Sequence, residues 1–326
     1  MESLGSSGWA YTKGLHDLGG GSYAYLQPDG SWGWSNAGLV IDGDRSLVVD
    51  TLFDLALTAE MLAAMRDAAP RATVEFDTLV NTHANGDHCY GNELVEGAEI
   101  IASIATAEEM AAEGPEVLAS FKRAAPEMGA VGQFFLDCFG PFEFEGITKT
   151  LPTRTFEKQL DLLVGDKRVE LLEVGPCHTR GDILIHLPDD GVVYTGDILF
   201  IDGTPIMWVG PVANWISACD RILDLGAETV VPGHGPITDA RGVRAVRDYL
   251  EYVTAQARER FEAGMPALEA ARDIALADFD SWGDAERIVV NTVTLYREFS
   301  GEQGDAPDTV SLFSTMAEVA RDRRRV

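Results

Sequence analysis

The residues best suited to chemistry are histidines and aspartates that follow short apolar segments. The densest group is the run His83-Ala84-Asn85-Gly86-Asp87-His88, and further candidates stand at His178, Asp197 and His234. Neutral imidazole and carboxylate together suit zinc, and also iron or manganese. Neighbouring Asp and His bind one metal only where the backbone turns sharply, and the glycine in the run permits such a turn. A lone loop histidine usually bonds the backbone, but that explanation does not fit the whole set, which predicts a metal site.

Each candidate comes after a predicted strand, so a sheet must position the set. DTLV precedes His83 and His88, LLEV precedes His178, VVYTGD ends at Asp197, and TVV precedes His234. Side chains at strand ends lie on loops, where a rigid sheet presents functional groups. We therefore expect these loops to meet at one edge of the fold.

The remaining pattern predicts strand-rich halves with helices between them. GLVI and SLVVD flank the turn DGDR, which indicates a hairpin. Apolar residues at helical spacing predict a helix from Asp54 to about Ala69, which Pro70 ends. RVELLEV, DILIHLP and GVVYTGD read as further strands. Asn214 is the expected cap of a helix through Leu225, with Gly226 at its end.

The chain has 326 residues, a length that suits one large domain with an appendage. An Ala-rich stretch from about 106 to 144 predicts a helical insertion that covers a cleft. Beyond Asp239, apolar residues again recur at helical spacing. We therefore predict a metal-binding domain over 1–239 and a C-terminal helical extension, packed on it, over 240–326. Whether that extension closes the cleft or forms a homodimer contact is left open.

Composition restricts the partners and the location. The 53 acidic and 25 basic residues give a net charge of −28, and the only basic cluster is Arg321 to Arg325. This charge argues against a nucleic-acid partner and against an anionic membrane, both of which require positive patches. There is no signal-peptide pattern, no long apolar run and no framework of cysteines, since the four present are scattered. A cytoplasmic protein with a small-molecule substrate is expected.

The order of the motifs resembles the metallo-β-lactamase superfamily. HxNGDH is followed by HTRGD, TGD and PGHGP, and the resemblance runs from about Gly38 to Thr238. It implies an α/β fold, an αββα sandwich with metal ions at the edge of two sheets. Carried over residue by residue, it implies one metal site at His83, the position of Asn85 and His178, a second at Asp87, His88 and His234, and Asp197 as the bridge.

Asn85 departs from the superfamily's usual pattern, which has a second histidine at this position. An amide oxygen is a weak, neutral ligand, so the first site loses one of its three strong donors. We therefore expect Zn²⁺, one or two ions per chain with one favoured. The site expected to hold it consists of Asp87, His88, His234 and Asp197.

If the first site holds no metal, His83, His178 and Asn85 are expected to have other roles in the reaction. A metal lowers the pKa of its water toward about 7, which supplies hydroxide at neutral pH. His83 or His178 would then shuttle a proton, because imidazole titrates in this range. Asn85 would hold the attacking water or donate a hydrogen bond to an oxyanion. Together with Asp87, these are the expected catalytic residues.

The loop from Asp202 to Asn214, DGTPIMWVGPVAN, predicts one wall of a hydrophobic pocket. Trp208 is expected to line this substrate pocket together with Asn85. Cys89 and Cys177 adjoin proposed ligands, but neighbours on a strand point to opposite faces, which favours an apolar-core position for both.

The opening segment and NTHANGDHCYGN most resemble members from bacterial secondary metabolism and xenobiotic turnover. Those include thioesterase-like cyclases of aromatic polyketides and a hydrolytic dehalogenase of chlorinated aromatics. The resemblance implies a hydrolase that uses a metal-bound hydroxide on a small apolar or aromatic ester, thioester, lactone or aryl halide. Two alternatives stay open: a degenerate, non-catalytic ligand-binding member with a structural metal, and an iron-dependent redox variant. The second is disfavoured because iron-binding members generally carry Glu where Asn85 stands.

Overall fold

Two facing β-sheets form the centre of the molecule. The computed structural model describes residues 3–301 and 309–323, so that Arg324 and Arg325 of the basic cluster and residues 302–308 of the predicted extension lie outside the described residues. Among the described residues, the first sheet pairs its strands in chain order: β1 (Gly14–Gly19), β2 (Ser22–Leu26), β3 (Ala37–Asp42), β4 (Arg45–Val49), β5 (Thr78–Val80), β6 (Glu99–Ser103) and β7 (Arg154–Phe156). The second sheet contains β8 (Gln159–Val164), β9 (Lys167–Glu173), β10 (Ile183–Leu187), β11 (Val192–Tyr194) and β12 (Thr229–Val231), paired in the order β12-β11-β10-β9-β8.

Helices cover both outer faces of the sheets. The α-helices of the described residues are α1 (Leu55–Ala68), α2 (Gly86–Cys89), α3 (Ile104–Ala112), α4 (Pro115–Ala124), α5 (Gly129–Phe139), α6 (Val212–Leu225), α7 (Ala240–Glu262), α8 (Ala267–Asp273), α9 (Ile288–Ser300) and α10 (Thr309–Arg323). No helix among these is both long and apolar enough to cross a lipid bilayer.

Alternating side chains build the layers. On β3, Val40 faces the second sheet and joins a core with Ile185 and Tyr194, whereas Leu39 faces the other way and packs with Met61 of α1. Such alternation is what a strand with two buried faces requires. The outer face of the second sheet is covered in the same manner by α6 and α7, with a core that includes Leu184, Val193, Trp215, Ile222 and Val246. The expected αββα sandwich is confirmed.

The parallel direction of neighbouring strands brings the loops that carry the predicted ligands to one edge of each sheet. β4 to β7 run parallel to one another, so the carboxyl ends of β4 and β5 lie at one edge of the first sheet. β11 and β12 are also parallel, which places the segments after them side by side in the second sheet. The predicted hairpin between β3 and β4 is confirmed, with Asp42 paired to Arg45 across a two-residue turn.

Several boundaries differ from the predictions. α6 begins at Val212 rather than after Asn214, because Pro211 already holds the extended N-cap conformation. Asn214 lies inside the helix, where its Nδ2 donates to the carbonyl of Pro176. β1, β2, β7 and β8 were not predicted. The HANGDH segment, expected to be a loop throughout, contains the short helix α2.

The predicted insertion and extension both contain helices. α3, α4 and α5 lie between Ile104 and Phe139, and α7 to α10 follow Asp239. The two regions touch through aromatic rings, since the Phe313 ring centroid lies 6.0 Å from that of Phe134 and 6.3 Å from that of Phe139.

Candidate metal centre and its cavity

Asp197 lies at the centre of the predicted ligands. It sits in a 3₁₀ turn directly after β11 and is 4% exposed. The segments after β5, β9 and β12 bring His83, His178 and His234 to it, and the short helix α2 brings His88. The distances from the histidine Nε2 atoms to the nearer Asp197 carboxylate oxygen are 3.1 Å for His88, 3.3 Å for His178, 3.5 Å for His234 and 3.7 Å for His83.

The outer nitrogen of three histidines is held by an acceptor. Nδ1 of His88 lies 2.9 Å from Asp50 Oδ2, Nδ1 of His178 lies 2.7 Å from the Ile206 carbonyl, and Nδ1 of His234 lies 3.1 Å from the Gly30 carbonyl. A carbonyl or carboxylate oxygen can only accept, so each Nδ1 carries the proton. In the neutral imidazole, Nε2 then presents a lone pair toward Asp197.

The fourth histidine, His83, also carries its proton on Nδ1, because of a contact with the hydroxyl of Thr82. Nδ1 of His83 lies 3.0 Å from Thr82 Oγ1, and that hydroxyl donates its single proton to Asp50 Oδ2, 2.7 Å away. The hydroxyl oxygen must therefore accept from His83 Nδ1–H. Asp50 thus fixes the tautomers of His83, through Thr82, and of His88.

Because the Nδ1 atoms carry the protons, the Nε2 atoms of the neutral histidines and the oxygens of Asp197 meet as acceptors without a donor between them. His83 Nε2, His88 Nε2 and Asp197 Oδ1 are buried and have no hydrogen-bond partner among the described residues. Buried polar atoms are normally satisfied, so this cluster requires an explanation. A cation placed between the nitrogens and the carboxylates satisfies all of them, and neutral imidazole with carboxylate is a donor set that zinc accepts. The residues present therefore fit a metal.

Two overlapping groups have ligand atoms within 4.8 Å of one another, His83 with His88 and Asp197, and Asp87 with His88 and His234. In the second group, Asp87 Oδ2 lies 3.2 Å from His234 Nε2.

His178 approaches Asn85 instead of a further carboxylate. Its Nε2 lies 3.1 Å from Asn85 Oδ1, and both atoms are acceptors when His178 is neutral. Asn85 thus stands where a ligand of the first site is expected, and it offers only a neutral amide.

The carboxylates change the pKa values of the histidines beside them. Burial alone would lower the pKa of His88 and His234, but Asp197 and Asp87 outweigh it. The pKa of His88 lies well above its usual value, and that of His234 rises to about 9. Without a metal, His234 binds a second proton at neutral pH, on Nε2, the nitrogen that a metal would take in its place. Burial lowers the pKa values of the other two histidines, His83 and His178.

A glycine lets the loop after β12 pass against Asp197. A Cβ on Gly233 would lie 2.0 Å from Asp197 Oδ1, which no side chain can tolerate. The backbone of Gly233 also donates to the Gly196 carbonyl at 2.8 Å. This close approach places His234, the next residue, beside the carboxylate.

A cavity of about 520 Å³ opens onto the centre. Asn85, Asp87, His178, Asp197 and His234 form its polar end. The predicted pocket residue Trp208 lines it, half-buried. The insertion helices α3 and α4 form one wall, and the C-terminal region adds another, through residues that the sequence argument missed: Arg287 and Phe313.

Three further residues with side chains that can bind metals lie apart from the ligand set. His186 pairs with Glu170 across β10 and β9, at 2.9 Å between Nδ1 and Oε2. Cys89 and Cys177 are free and buried, and neither belongs to the ligand groups of the described residues. Their expected core position is confirmed by this burial, although neither is on a strand: Cys89 is on α2 and Cys177 is in the loop after β9. Burial raises the pKa of both thiols.

Asp50 is a functional residue that the sequence argument did not single out. It is 2% exposed, ends the segment SLVVD and accepts hydrogen bonds from His88 Nδ1 and from the Thr82 amide and hydroxyl. Asp197 ends VVYTGD in the same manner, so the strand-end signal applied to Asp50 as well.

Comparisons with known proteins identify the family. The acyl-coenzyme A thioesterase MBLAC2 of Gallus gallus is 26% identical over 215 residues, which cover 61% of this chain and 72% of that protein. The 2,4-dinitroanisole O-demethylase subunit alpha of Nocardioides sp. is 26% identical over 206 residues, which cover 60% of this chain and 51% of that protein. The structure of the sec-alkylsulfatase Pisa1 from Pseudomonas sp. shares the fold, with a TM-score of 0.66 and 16% identity over 90% of this chain and 52% of that one. The profile of the metallo-beta-lactamase superfamily matches residues 30–234, more than half of the chain, which therefore belongs to this superfamily, as the order of its motifs predicted.

Proposed function

We propose that this protein is a metal-dependent hydrolase that acts on a small aromatic or apolar substrate. The observation that carries the proposal is the convergence of four histidine Nε2 atoms on Asp197, with Asp87 next to them, beside the polar end of an apolar cavity. The relatives support the reaction class, because one is an acyl-coenzyme A thioesterase and another acts on 2,4-dinitroanisole, an aromatic ether.

The proposed metal is a single zinc ion held by Asp87, His88, His234 and Asp197. Three of these form one of the compact ligand groups, and Asp197 contacts two of them directly. Asn85 weakens the remaining site, because its amide stands beside His178 where a charged or imidazole donor is needed. When bound, zinc lowers the pKa of water toward about 7 and polarises a carbonyl oxygen.

His178 and Asn85 are the proposed residues for proton transfer and substrate orientation. Both line the cavity, whereas His83 is fully buried behind it, so His178 is the better proton shuttle and His83 the better ligand. Burial lowers the pKa of His178, which keeps its imidazole neutral and able to accept a proton at neutral pH. In this proposal, the Asn85 side-chain amide donates a hydrogen bond to an oxyanion. Asp87 lines the cavity beside His234 and orients the attacking water.

The cavity favours a substrate with one flat ring or a short acyl chain. Its lining includes the aromatic residues Trp32, Phe53, Phe200 and Trp208, around a volume of about 520 Å³. Apolar walls with a few converging polar groups are typical of small-molecule sites. Aryl esters, thioesters, lactones and aryl halides or ethers fit this description.

Metal content tests the proposal most directly. We expect about one zinc per chain in protein purified without added metal, measured by mass spectrometry, and nearly two in Asn85→His, because the imidazole restores the third strong donor. Gln159→His, which adds a histidine at an exposed position of β8 away from the cavity, is the matched control and should leave the content at one.

The zinc content and the hydrolysis assay together distinguish the proposal from its alternatives. Two zinc ions in the unaltered protein would contradict the single-metal site. No metal, together with no hydrolysis of phenyl acetate and S-phenyl thioacetate after zinc is added, would overturn the hydrolase and leave the ligand-binding alternative. We expect Asp87→Asn to lower the hydrolysis rate at least 100-fold without unfolding the chain.

A further inference from the structure

A buried cation, Arg287, forms part of the cavity wall. Arg287 belongs to the 3₁₀ turn that precedes α9, is 2% exposed and lines the cavity. Nothing in the proposed metal chemistry requires an arginine. A fully buried guanidinium is rare unless paired or bound, so its presence in a substrate cavity calls for a reason.

The partners of Arg287 leave one of its three side-chain nitrogens without an acceptor. Nη1 donates to the Thr204 carbonyl at 2.9 Å, and Nη2 pairs with Asp284 Oδ2 at 3.0 Å. The Nε–H is buried and has no acceptor among the described residues. Buried donors nearly always have a partner, which is protein, water or ligand.

Aromatic rings hold the guanidinium close to the metal centre. Its central carbon lies 4.4 Å from the Trp32 ring centroid and 5.1 Å from that of Phe200. Phe200 in turn stacks on His234, with centroids 5.0 Å apart and an interplanar angle of 7°. A single ring therefore separates Arg287 from a proposed ligand. Trp32 is fixed by donating its Nε1–H to Glu286 at 2.9 Å.

The charge around the cavity makes this arginine distinctive. Acidic residues occur at the polar end, Asp87 and Asp197, and on α3, Glu109. Among the described residues that line the cavity, only Arg287 and Lys149 are permanent cations. Lys149 is at the surface and donates to the Ala111 carbonyl, so Arg287 is the buried one.

We propose that Arg287 binds an anionic oxygen group at the non-reacting end of a flat substrate, so that the preferred substrates are aromatic acids that carry a hydrolysable bond. The ring of such a substrate packs against the aromatic residues of the cavity wall while its anionic group accepts from the guanidinium. The bond to be cleaved then points toward His178 and Asn85. This inference deepens the proposed function, on which the reaction rests, but the binding step is separate from hydrolysis.

Calorimetry with a pair of probes tests the binding step. The probes are benzenesulfonate and methyl phenyl sulfone, which have similar shapes, and only the first is charged; sulfonate is also a weak ligand for zinc. With the zinc-loaded protein we expect benzenesulfonate to bind at least 10-fold more tightly than the sulfone. Arg287→Met should remove this preference, weakening sulfonate binding at least 10-fold and sulfone binding less than 2-fold. Arg287→Lys should be intermediate, because it keeps the charge without the planar fork.

Arg260→Met is the matched control, since Arg260 is also largely buried and paired, with Asp273, but lies away from the cavity. It should leave both affinities unchanged. Equal affinity for the two probes in the unaltered protein would overturn the proposal, and so would equal weakening of both in Arg287→Met.

A measurement on the unaltered protein covers the case in which the Arg287 variants do not fold. The Nε–H resonance of Arg287 in nuclear magnetic resonance spectra should shift when benzenesulfonate is added and stay in place with the sulfone. An unmoved resonance at saturating sulfonate would contradict the assignment. If the protein prefers benzenesulfonate over the sulfone but hydrolyses no ester or thioester, the proposed function would be overturned and the role of Arg287 in binding would stand.

Discussion

At the scale of single residues, the contact between Asp50 and His88 fixes the centre. The carboxylate accepts from His88 Nδ1 at 2.9 Å and from the Thr82 amide and hydroxyl at 2.7 Å each. Asp50 holds a backbone φ of +59°, a conformation that few residues other than glycine adopt. Carboxylates that orient a ligating histidine in this way also raise its basicity as a ligand.

We predict that Asp50→Asn weakens zinc binding by about 10- to 100-fold. The asparagine keeps the size of the side chain, but its amide nitrogen cannot accept from Thr82 or His88. The measurement is a competition titration with a chromogenic chelator.

Glu170→Gln is the matched control, because Glu170 makes the same 2.9 Å contact with His186 outside the centre. It should leave zinc affinity unchanged. An equal loss in both variants would show that the effect of Asp50 is general destabilisation rather than support of a ligand.

At the scale of elements, the loop after β12 and the turn after β11 must pack within a very short distance. Gly233 is where they meet, since a Cβ there would lie 2.0 Å from Asp197 Oδ1 and 2.6 Å from the Gly196 carbonyl carbon. The positions of Asp197 and His234 therefore depend on one another through this glycine.

We predict that Gly233→Ala displaces Asp197 and lowers both zinc content and stability, by about 1–3 kcal/mol in the free energy of unfolding. Gly203→Ala is the control, because a Cβ on Gly203 meets nothing within 4 Å. Urea denaturation with zinc analysis checks both variants. A fully metal-loaded Gly233→Ala protein would contradict the predicted clash.

The elements that could be predicted from the sequence are those defined by residues close together along the chain, such as a helix cap or a regular apolar spacing. Asp54 caps α1 through its side chain, which accepts from the Leu57 amide, and the apolar spacing defines the rest of that helix. The strands before the ligands were equally clear, and they placed His83, His178 and His234 correctly at one edge of the sandwich.

Other features depend on distant parts of the chain and gave no local signal. β8 is exposed on alternate residues and is defined mainly by pairing with β9. Arg287 reaches the cavity only because the C-terminal region packs beside Thr204, 83 residues away in sequence. The hydrogen bond between Gly30 and His234 also forms only in the folded protein.

At the scale of the whole molecule, the ligands join the two sheets. His83 and His88 follow β5 of the first sheet, whereas His178, Asp197 and His234 come from the second. A bound metal therefore cross-links both halves of the sandwich. Because a ligand that binds only the folded state stabilises it, metal removal must lower the melting temperature of the entire molecule.

We predict that the difference in melting temperature between zinc-loaded and chelator-treated protein widens as pH rises from 6 to 9. Without metal, His234 has a pKa of about 9, above its unfolded value, so its proton stabilises the fold at low pH and is lost as pH rises through 9. Zinc must displace that proton, which costs about 1.4 kcal/mol for each pH unit below 9. Scanning fluorimetry at four pH values checks this, and a constant difference would mean that no proton is displaced.

The distance along the chain between the parts of the centre has a consequence for synthesis. The Gly30 carbonyl that orients His234 is made 204 residues before it, and His83 and His88 also leave the ribosome long before His234. A nascent chain thus carries His83, Asp87 and His88 without the complete set of partners while it grows from residue 88 to residue 234. Completion of the centre must wait until translation has passed residue 234, and every product truncated before that point lacks a ligand for its metal.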